Sequence, residues 1–296
     1  MISKQEVNTS NEIHVLGLSG GKDSAALAVY MRDNYPDIDI AYYFSDTGKE
    51  LPEVYDFLYK LETYLGKPIK RLGQPRGESE RGYDFDYWLE EYNYFLPSAQ
   101  TRWCTRKLKL QPFEKWVKPQ LQEGKKVISY VAIRADEPYR QGHIPTNKNI
   151  EVRLPFRDDG VNKRQVLEIL ERSTLGLPAY YKWRSRSGCT FCFFQQKMEW
   201  VNLKKFHPQA FEAAKTYEKL AIEHDSPFTW TQGESLVELE QPERMKAIEE
   251  DFVKRKEYAK RQEPHNFLRD EVIDYTDHDD IYGEDEGNGA CLACHK

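Results

Sequence analysis

The first half of the chain alternates short apolar runs with stretches in which apolar residues recur every three or four positions. The short runs are typical of buried strands and comprise residues 13–18, 38–45, 68–72 and 127–133, with an edge strand at 151–155. Helical periodicity follows the first two runs, over residues 24–34 and after Pro52. Strands that alternate with crossover helices predict a parallel sheet with helices on both faces, and therefore an α/β fold.

The pattern changes after about residue 160, where charged stretches with helical periodicity replace the strands. These stretches cover residues 161–173, 197–224 and 242–262. The last part of the chain is acidic, and we interpret most of it as a solvated arm because acidic runs with little apolar content rarely become buried. We therefore divide the chain into an α/β domain at 1–160, a helical region at 161–262 and an acidic, cysteine-containing flexible tail at 263–296.

Composition and charge exclude several classes of protein. The chain has 296 residues, of which 39% are hydrophobic and 31% charged, which is enough apolar material for a sizeable core. No run of about 18 apolar residues occurs, so no membrane-spanning helix is expected. The first residues lack a signal-peptide pattern, which favours a cytoplasmic protein. A net charge of -6 excludes a globally basic nucleic-acid-binding protein but leaves room for a local basic patch.

A glycine-rich turn lies between the first predicted strand and the helix that follows it. It consists of Ser19, Gly20, Gly21, Lys22, Asp23 and Ser24. Glycine allows backbone torsions that other residues avoid, and it lets main-chain amides approach an anion closely. The helix N-terminus adds a positive partial charge, the lysine adds a full one, and the serines add hydroxyl donors. The turn therefore predicts a cradle for phosphate or pyrophosphate.

The sequence SGGKDS resembles the SGGxDS motif of the PP-loop ATP pyrophosphatases, a superfamily that cleaves ATP between the α and β phosphates. Its glycine spacing differs from that of the Walker loop, in which four residues separate the first glycine from the GK pair. The resemblance implies that the turn holds the departing pyrophosphate. It also implies a catalytic role for Lys22, with ATP and Mg²⁺ as cofactors.

A second segment, SDTGKELPEVYDF, resembles the sulfur-metabolism branch of the same superfamily. That branch contains the phosphoadenosine-phosphosulfate (PAPS) reductases, the adenylyl-transferring subunit of sulfate adenylyltransferase and the DndC-like proteins of DNA phosphorothioation. The resemblance places Asp46, Thr47 and Gly48 at the nucleotide, with Asp46 as a catalytic residue close to Mg²⁺. Ligand binding at the carboxyl ends of strands is also what a parallel sheet predicts.

Further likeness to this branch extends over about residues 13–220. The segments at 102–107 and 132–137 resemble its cysteine-plus-basic and GxRxxES segments, and Arg134 is a candidate nucleotide-binding residue. Together with Asp136 and Glu137, Arg134 either orients the nucleotide or forms an ion pair at the strand end. PAPS reductases usually alter the loop and lose its lysine. Lys22 is present here, which favours ATP cleavage over binding of a ready-made sulfonucleotide.

The five cysteines do not predict a disulfide scaffold, but four of them form two C-x2-C pairs. Cys189 and Cys192 lie beside arginines, which lower thiol pKa values and favour the metal-ligating thiolate. Relatives hold a 4Fe–4S cluster with one upstream cysteine and a downstream C-x2-C pair. The resemblance therefore implies metal ligation by Cys104, Cys189 and Cys192. The fourth ligand is then Cys291 or Cys294, or one iron stays open.

Two other interpretations of the cysteines remain. The four paired cysteines, Cys189, Cys192, Cys291 and Cys294, match a zinc site, or the thiols act without metal in redox chemistry or sulfur relay. The glycine-containing tail also suits a mobile carrier that brings sulfur to the site as a persulfide. Cys291 and Cys294 are therefore candidate catalytic residues.

Basic residues lie next to the cysteines in the sequence. They form either a positive mouth for phosphate groups or a nucleic-acid backbone, or a solvated helix face. The candidate substrate-binding residues of this group are Arg102, Arg106, Lys107, Arg184 and Arg186.

These patterns together predict an ATP-dependent sulfurtransferase that adenylates a substrate, with nucleic-acid thiolation or DNA phosphorothioation as one outcome. One alternative is a PAPS reductase, which is an oxidoreductase. Another is a non-catalytic nucleotide-binding subunit of a DNA-modification or defence complex. The expected partners are a sulfur donor such as a cysteine desulfurase, a nucleic acid or DNA-modification proteins, and a second copy of the chain. No membrane partner is expected.

Overall fold

A computed structural model describes residues 11–73, 83–140, 142, 145–226 and 228–262. Within these residues, five strands form one sheet in the order β3-β2-β1-β4-β5, and every neighbouring pair is parallel. The strands are β1 Glu12–Gly17, β2 Ile40–Asp46, β3 Ile69–Gly73, β4 Lys126–Tyr130 and β5 Ile150–Arg153. The predicted α/β fold with a parallel sheet is therefore confirmed, and β5 lies at the predicted edge.

The strand order reverses at β1. The chain runs from β1 outward to β2 and β3, and then returns to place β4 on the opposite side of β1. In open parallel sheets, ligands bind in the crevice at the carboxyl ends of the strands where such a reversal occurs. This geometry places the turn after β1 beside the segment that follows β4.

The helices flank the sheet and form most of the second half of the described chain. They are α1 Lys22–Asn34, α2 Pro52–Leu65, α3 Phe85–Glu91, α4 Trp103–Thr105, α5 Gln111–Gln122, α6 Pro155–Asp158, α7 Lys163–Arg172, α8 Lys197–Phe206, α9 Pro208–Glu223, α10 Leu236–Leu239 and α11 Pro242–Gln262. A π-helical turn, Arg106–Leu110, joins α4 to α5, and a 3-10 turn covers Ala179–Lys182. None of the described helices combines the length and apolarity needed to cross a bilayer.

One predicted helix is wrong in its continuity. The stretch at 197–224 forms two helices, because α8 ends before His207 and α9 begins at Pro208. Proline has no amide hydrogen to donate within a helix, but it fits the first turn, where that hydrogen has no acceptor. The chain therefore breaks here despite its continuous helical periodicity.

The hydrophobic core covers both faces of the sheet. The larger cluster runs from Leu16 in β1 through α1 and α2 to Ile248 in α11, so it joins the two parts of the chain that the sequence divides at residue 160. The smaller cluster lies on the opposite face, where α5 covers residues such as Val15 and Tyr43. Adjacent β1 residues thus face opposite sides of the sheet, as the strand period of two requires. The division into three parts remains a prediction.

A partly exposed cluster of ion pairs stabilises the helical region. The Glu234 carboxylate accepts hydrogen bonds from Arg244 Nε at 2.7 Å and Nη2 at 2.8 Å, and it also pairs with Lys197 on α8. Hydrogen bonds from Arg244, followed by those from Lys197, lower the pKa of Glu234 to about 2. A depressed folded-state pKa means that the carboxylate stabilises the fold above its ordinary pKa of 4.5 and loses this effect toward pH 2.

We expect Glu234→Gln to lower the free energy of unfolding by about 1–3 kcal/mol at pH 7, the range for hydrogen bonds to charged groups. The difference from wild type should shrink as the pH falls from 4.5 toward 2, because the carboxylate of the unfolded wild-type chain takes up a proton there while the folded one stays ionised down to about pH 2. Urea unfolding at pH 7 and at pH 3 measures it. Glu249→Gln, which breaks the more exposed pair with Lys205, is the matched control and should change stability little. An equal loss at both pH values would contradict this assignment.

Candidate functional site

A cavity of about 400 Å³ opens at the carboxyl edge of the sheet. Its lining combines the ends of β1 and β2, represented by Ser19 and Thr47, with three cysteines and the segment that carries two of them. The cysteines are Cys104, Cys189 and Cys192. The turn and the cysteines, which lie far apart in the sequence, therefore meet at one cavity, located where the sheet topology predicts a ligand.

The two glycines of the turn are required by close packing. Gly20 has a φ of +74°, and a Cβ at this position would lie 2.6 Å from Val54 Cγ1 on α2. A Cβ on Gly21 would lie 2.8 Å from Ser187 Oγ. Real Cβ atoms do not approach other atoms this closely, and a positive φ disfavours any side chain. The turn thus packs between α2 and a segment from the second half of the chain.

Hydroxyl groups bond the amides of this turn. Ser19 N donates to Ser24 Oγ at 3.1 Å, and Gly21 N donates to Ser19 Oγ at 3.3 Å. Ser24 Oγ in turn donates to the Gly21 carbonyl at 3.2 Å. Both serines therefore shape the turn internally, at the N-terminus of α1.

The segment around residues 180–187 covers the turn. Tyr180 donates its hydroxyl hydrogen bond to the Gly20 carbonyl at 2.7 Å, and Tyr181 OH accepts from Lys22 N at 3.0 Å. Ser187 Oγ donates to Ser19 Oγ at 3.0 Å. The Lys22 side chain is 4% exposed, and its Nζ lies 4.9 Å from the centre of the Tyr181 ring. Of the six turn residues, Ser19 lines the cavity, and the other five are buried behind it.

Asp23 and Arg134, both predicted at the nucleotide, bind each other. Arg134 Nη1 lies 2.9 Å from Asp23 Oδ1, and Arg134 Nε lies 2.9 Å from Asp136 Oδ1. The two side chains of the first pair are 2% and 11% exposed. Arg134 therefore forms ion pairs at the strand end, which is one of the two roles expected for it. The pair with Asp23 connects the first turn of α1 to the segment after β4. Their binding of nucleotide remains a prediction.

The turn after β2 contains the other predicted nucleotide-binding residues. Asp46 Oδ1 accepts from Gly48 N at 2.9 Å and from the Tyr55 hydroxyl at 2.8 Å, so this oxygen caps the turn. Thr47 lines the cavity, and its hydroxyl donates to Glu50 Oε1 at 2.8 Å. Gly48 is exposed, with a φ of +73°. Asp46 and Gly48 lie next to the cavity rather than among its lining residues, and the Mg²⁺ role of Asp46 remains a prediction.

Sequence reasoning missed Glu50. Its side chain lines the cavity and is 8% exposed, its Oε2 atom has no hydrogen-bond partner, and its backbone pairs with Cys189 in an isolated bridge. Burial raises the pKa of its carboxyl, against the opposing charge of Lys109. No sequence signal distinguishes Glu50 from the other acidic residues of its segment, because its burial depends on a contact more than a hundred positions away.

The two cysteines of the C-x2-C pair have different acidities. The hydrogen bond from the Cys189 thiol, followed by the charge of Arg184, lowers the pKa of Cys192 to about 6. The same hydrogen bond, together with burial, raises the pKa of Cys189. Deprotonated sulfur is the form that attacks electrophiles and binds metal. Cys192 is therefore the more reactive thiol of the pair.

We expect iodoacetamide to alkylate Cys192 faster than Cys189 at pH 7 in metal-free protein, because Cys192 is the thiolate of the pair. Arg184→Met should slow alkylation of Cys192 several-fold, since it removes the positive charge that favours the thiolate. Mass spectrometry of the labelled peptides measures both rates. Arg172→Met, at the exposed end of α7, is the matched control. Faster labelling of Cys189 would contradict this assignment, because it would show that Cys189 is the thiolate of the pair.

The five candidate substrate-binding residues lie in different environments. Arg184 is fully buried, with Nη2 donating to the Cys189 carbonyl at 2.8 Å, so it supports the cysteine turn from inside instead of facing a substrate as expected. Arg186 lines the cavity, and both Arg186 and Arg102 stack on Phe194, which also lines it. Outside the cavity lining lie two further candidates, Arg106, which is exposed, and Lys107, which stacks on Trp88. Substrate binding by the four other than Arg184 remains a prediction.

The predicted metal ligands share a cavity but do not form a preorganised metal site. In the part of the chain that the structure describes, no three His, Cys, Asp or Glu side chains are arranged to hold a metal ion. The side chains of Cys189 and Cys192 form a hydrogen bond with each other instead. The number and kind of donors nevertheless suit a cluster, because three thiols face one cavity and Cys192 favours the thiolate. Cys291 and Cys294 lie outside the described residues.

The chain has distant relatives in archaea and phages, all uncharacterized. One protein of Methanocaldococcus jannaschii is 28% identical over 212 residues, which cover 67% of this chain and 40% of that protein. A nin region protein of Escherichia phage lambda is 30% identical over 146 residues, covering 43% of this chain and 50% of the relative. A 37.8 kDa protein of Escherichia phage 186 is 25% identical over 255 residues, which cover 70% of this chain and 75% of that protein. The chain thus spans less than half the length of the archaeal relative.

Two solved structures are also similar, at low identity. The PAPS reductase of Candida auris, in complex with phosphate, gives a TM-score of 0.45 at 14% identity, covering 62% of this chain and 83% of that one. The U34-tRNA thiolase NcsA of Methanococcus maripaludis, with its 4Fe–4S cluster, gives 0.41 at 16% identity, covering 74% of each chain. The family model of the phosphoadenosine phosphosulfate reductase domain matches residues 13–151, which contain the sheet apart from the first residue of β1 and the last two residues of β5. Residues 13–151, just under half of the chain, thus match the model of this domain.

Proposed function

We propose that the protein is an ATP pyrophosphatase that adenylates a substrate and thereby activates it for sulfur transfer. The observation that carries this proposal is the intact SGGKDS turn at the N-terminus of α1, whose Ser19 lines the same cavity as three cysteines. An activating nucleotide and a sulfur-handling group would then work in one space. The lysine supports ATP as the nucleotide, because an ammonium group at this turn is suited to the extra negative charge of a pyrophosphate.

In the adenylation step, an oxygen of the substrate attacks the α-phosphorus of ATP. The bond from that phosphorus to the α–β bridging oxygen breaks, and pyrophosphate leaves toward the turn. Lys22 and the N-terminus of α1 stabilise the charge on the leaving group, and a bound Mg²⁺ would add its positive charge there. Asp46 would assist in holding Mg²⁺ from the end of β2. Sulfur then bonds to the activated centre, and AMP departs with the oxygen.

The cysteines deliver sulfur from an external donor in this proposal. Cys104, Cys189 and Cys192 would hold a 4Fe–4S cluster, which when bound offers an iron without a cysteine ligand for carrying sulfide. Alternatively, Cys291 or Cys294 carries a persulfide received from a donor such as a cysteine desulfurase. The other tail cysteine then releases the thiolated product and closes a disulfide. The acceptor is a small metabolite or a nucleic acid, for which Arg186 and Lys109 provide positive charge at the cavity.

Incubation of the full chain with ATP labelled at the α or the γ phosphate tests this function, with PAPS as the competing substrate. Release of AMP and pyrophosphate, stimulated by a sulfur donor and acceptor, is the expected result. Release of sulfite from PAPS would instead identify a sulfonucleotide reductase. Tight ATP binding without turnover, even with donor and acceptor present, would favour a non-catalytic nucleotide-binding subunit.

A further inference from the structure

The phosphate-binding turn of the first half is closed by side chains of the second half. Tyr181 and Ser187 lie about 160 positions after the turn, yet both bond it directly, at 3.0 Å to Lys22 N and 3.0 Å to Ser19 Oγ. The fully buried Tyr180 fixes this segment through its hydrogen bond to the Gly20 carbonyl. A ligand in the turn would therefore meet these two hydroxyls as well as the turn itself.

The chemistry of these contacts suits an anion. The amide of Lys22 donates to a hydroxyl oxygen, not to a carbonyl or a carboxylate, and so do those of Ser19 and Gly21. A hydroxyl can accept from an amide and, after rotation about its C–O bond, donate to a phosphate oxygen, whereas a carbonyl can only accept. The groups that occupy these amides can thus become phosphate donors without any change of fold.

Charge points in the same direction. Lys22 is 4% exposed, and its ammonium group lies against the Tyr181 ring at the N-terminus of α1. The lysine charge and the helix dipole both favour an anion at this place. Hydrogen bonds from neutral hydroxyls to an anion are stronger than those between neutral groups, so the hydroxyls gain by turning toward a bound phosphate.

We propose that Tyr181 and Ser187 are pyrophosphate-binding residues that donate their hydroxyl hydrogen bonds to the leaving group. This inference rests on the proposed ATP pyrophosphatase function and adds two ligands that the loop motif does not contain. Ser187 is followed by Gly188 and Cys189, so a bound pyrophosphate also fixes the segment that leads into the cysteine turn. The phosphate site is thus shared between the two parts of the chain.

Isothermal titration of the full chain with pyrophosphate, with ATP and with AMP tests the inference. We expect Tyr181→Phe and Ser187→Ala each to weaken binding of pyrophosphate and ATP about tenfold or more, the range for hydrogen bonds to a charged group. Binding of AMP, which lacks the leaving group, should change less than twofold. The control Tyr30→Phe removes a tyrosine–carboxylate bond to Asp159 at 2.8 Å and should leave all three affinities unchanged.

The outcomes separate the inference from the function. If wild type binds pyrophosphate and both folded variants bind it equally well, Tyr181 and Ser187 are not ligands, while the proposed function stands. If wild type binds neither ATP nor pyrophosphate, both proposals are overturned. Circular dichroism identifies a variant that fails to fold, and the milder Ser187→Thr, which keeps a hydroxyl, should then retain binding where Ser187→Ala loses it.

Discussion

Replacement of Lys22 by alanine should reduce pyrophosphate release from ATP by about 100-fold or more. The reason is electrostatic, because loss of a preorganised donor that stabilises developing charge costs about 10²- to 10³-fold in rate. Lys22 lies in the first turn of α1 and is 4% exposed, so little water is available to replace its charge. Single-turnover release of labelled pyrophosphate, with saturating enzyme in excess over ATP, measures the effect on the chemical step.

Two comparisons make the Lys22 result specific. Lys67→Ala removes an exposed lysine that pairs with Asp39 across the surface, and it should leave the rate unchanged. Lys22→Arg keeps the positive charge but changes the shape of the charged group. Its rate of pyrophosphate release should lie between those of wild type and Lys22→Ala. If Lys22→Ala released pyrophosphate at the wild-type rate, the leaving group would not be held by this turn.

Arg134→Met should lower the free energy of unfolding by about 3–5 kcal/mol, as expected when one partner of a buried ion pair is removed. The change would leave the Asp23 carboxylate, which is 2% exposed, without the guanidinium that lies 2.9 Å away. It would also free the segment after β4 from the first turn of α1. Chemical unfolding monitored by tryptophan fluorescence measures the loss.

The double variant Asp23→Asn/Arg134→Met tests the cause of this loss. Without the aspartate charge, no carboxylate remains buried at α1, so the double variant should be more stable than the sum of the two single losses allows. Strict additivity would contradict a direct ion pair. Arg164→Met, at an exposed pair with Glu168 on α7, is the control and should cost less than about 1 kcal/mol.

The sheet and its turn are predictable from the sequence because both depend on local patterns. Apolar runs of strand length separated by helical periodicity determine the parallel topology, and the spacing of Gly20, Gly21 and Lys22 determines the turn. The predicted end of β4 is three residues too late: the strand ends at Tyr130, although residues 131–133 are as buried as a strand. The apolar run indicates only that these residues are buried, and a buried loop at the crevice gives the same pattern as a strand.

The helices α4 and α5 escaped prediction for a different reason. The helical stretch from Trp103 to Gln122 contains Pro112 and Pro119, which are signals against a helix. Pro112 lies in the first turn of α5, directly after the π-helical turn Arg106–Leu110, where the regular α-helical hydrogen-bond pattern is already interrupted. The two prolines therefore suppress the sequence signal without preventing the helix.

The remaining parts of the site depend on contacts between distant positions. Tyr181 and Ser187 acquire a role only because the second half of the chain folds back over the turn, and nothing in their own neighbourhood indicates this. The same holds for Arg184, whose expected place at a substrate mouth gave way to a buried one behind the cysteine turn. A single sequence contains the motifs but does not show which distant positions come into contact.

An anaerobic crystal structure of the full chain with Mg²⁺ and the α,β-methylene analogue of ATP would test the central claim most directly. We expect the β and γ phosphates to lie against the amides of residues 19–24, within hydrogen-bond distance of Lys22 Nζ. The α-phosphorus should face the cavity that the three cysteines line. A nucleotide bound elsewhere, with no phosphate group at the turn, would contradict it.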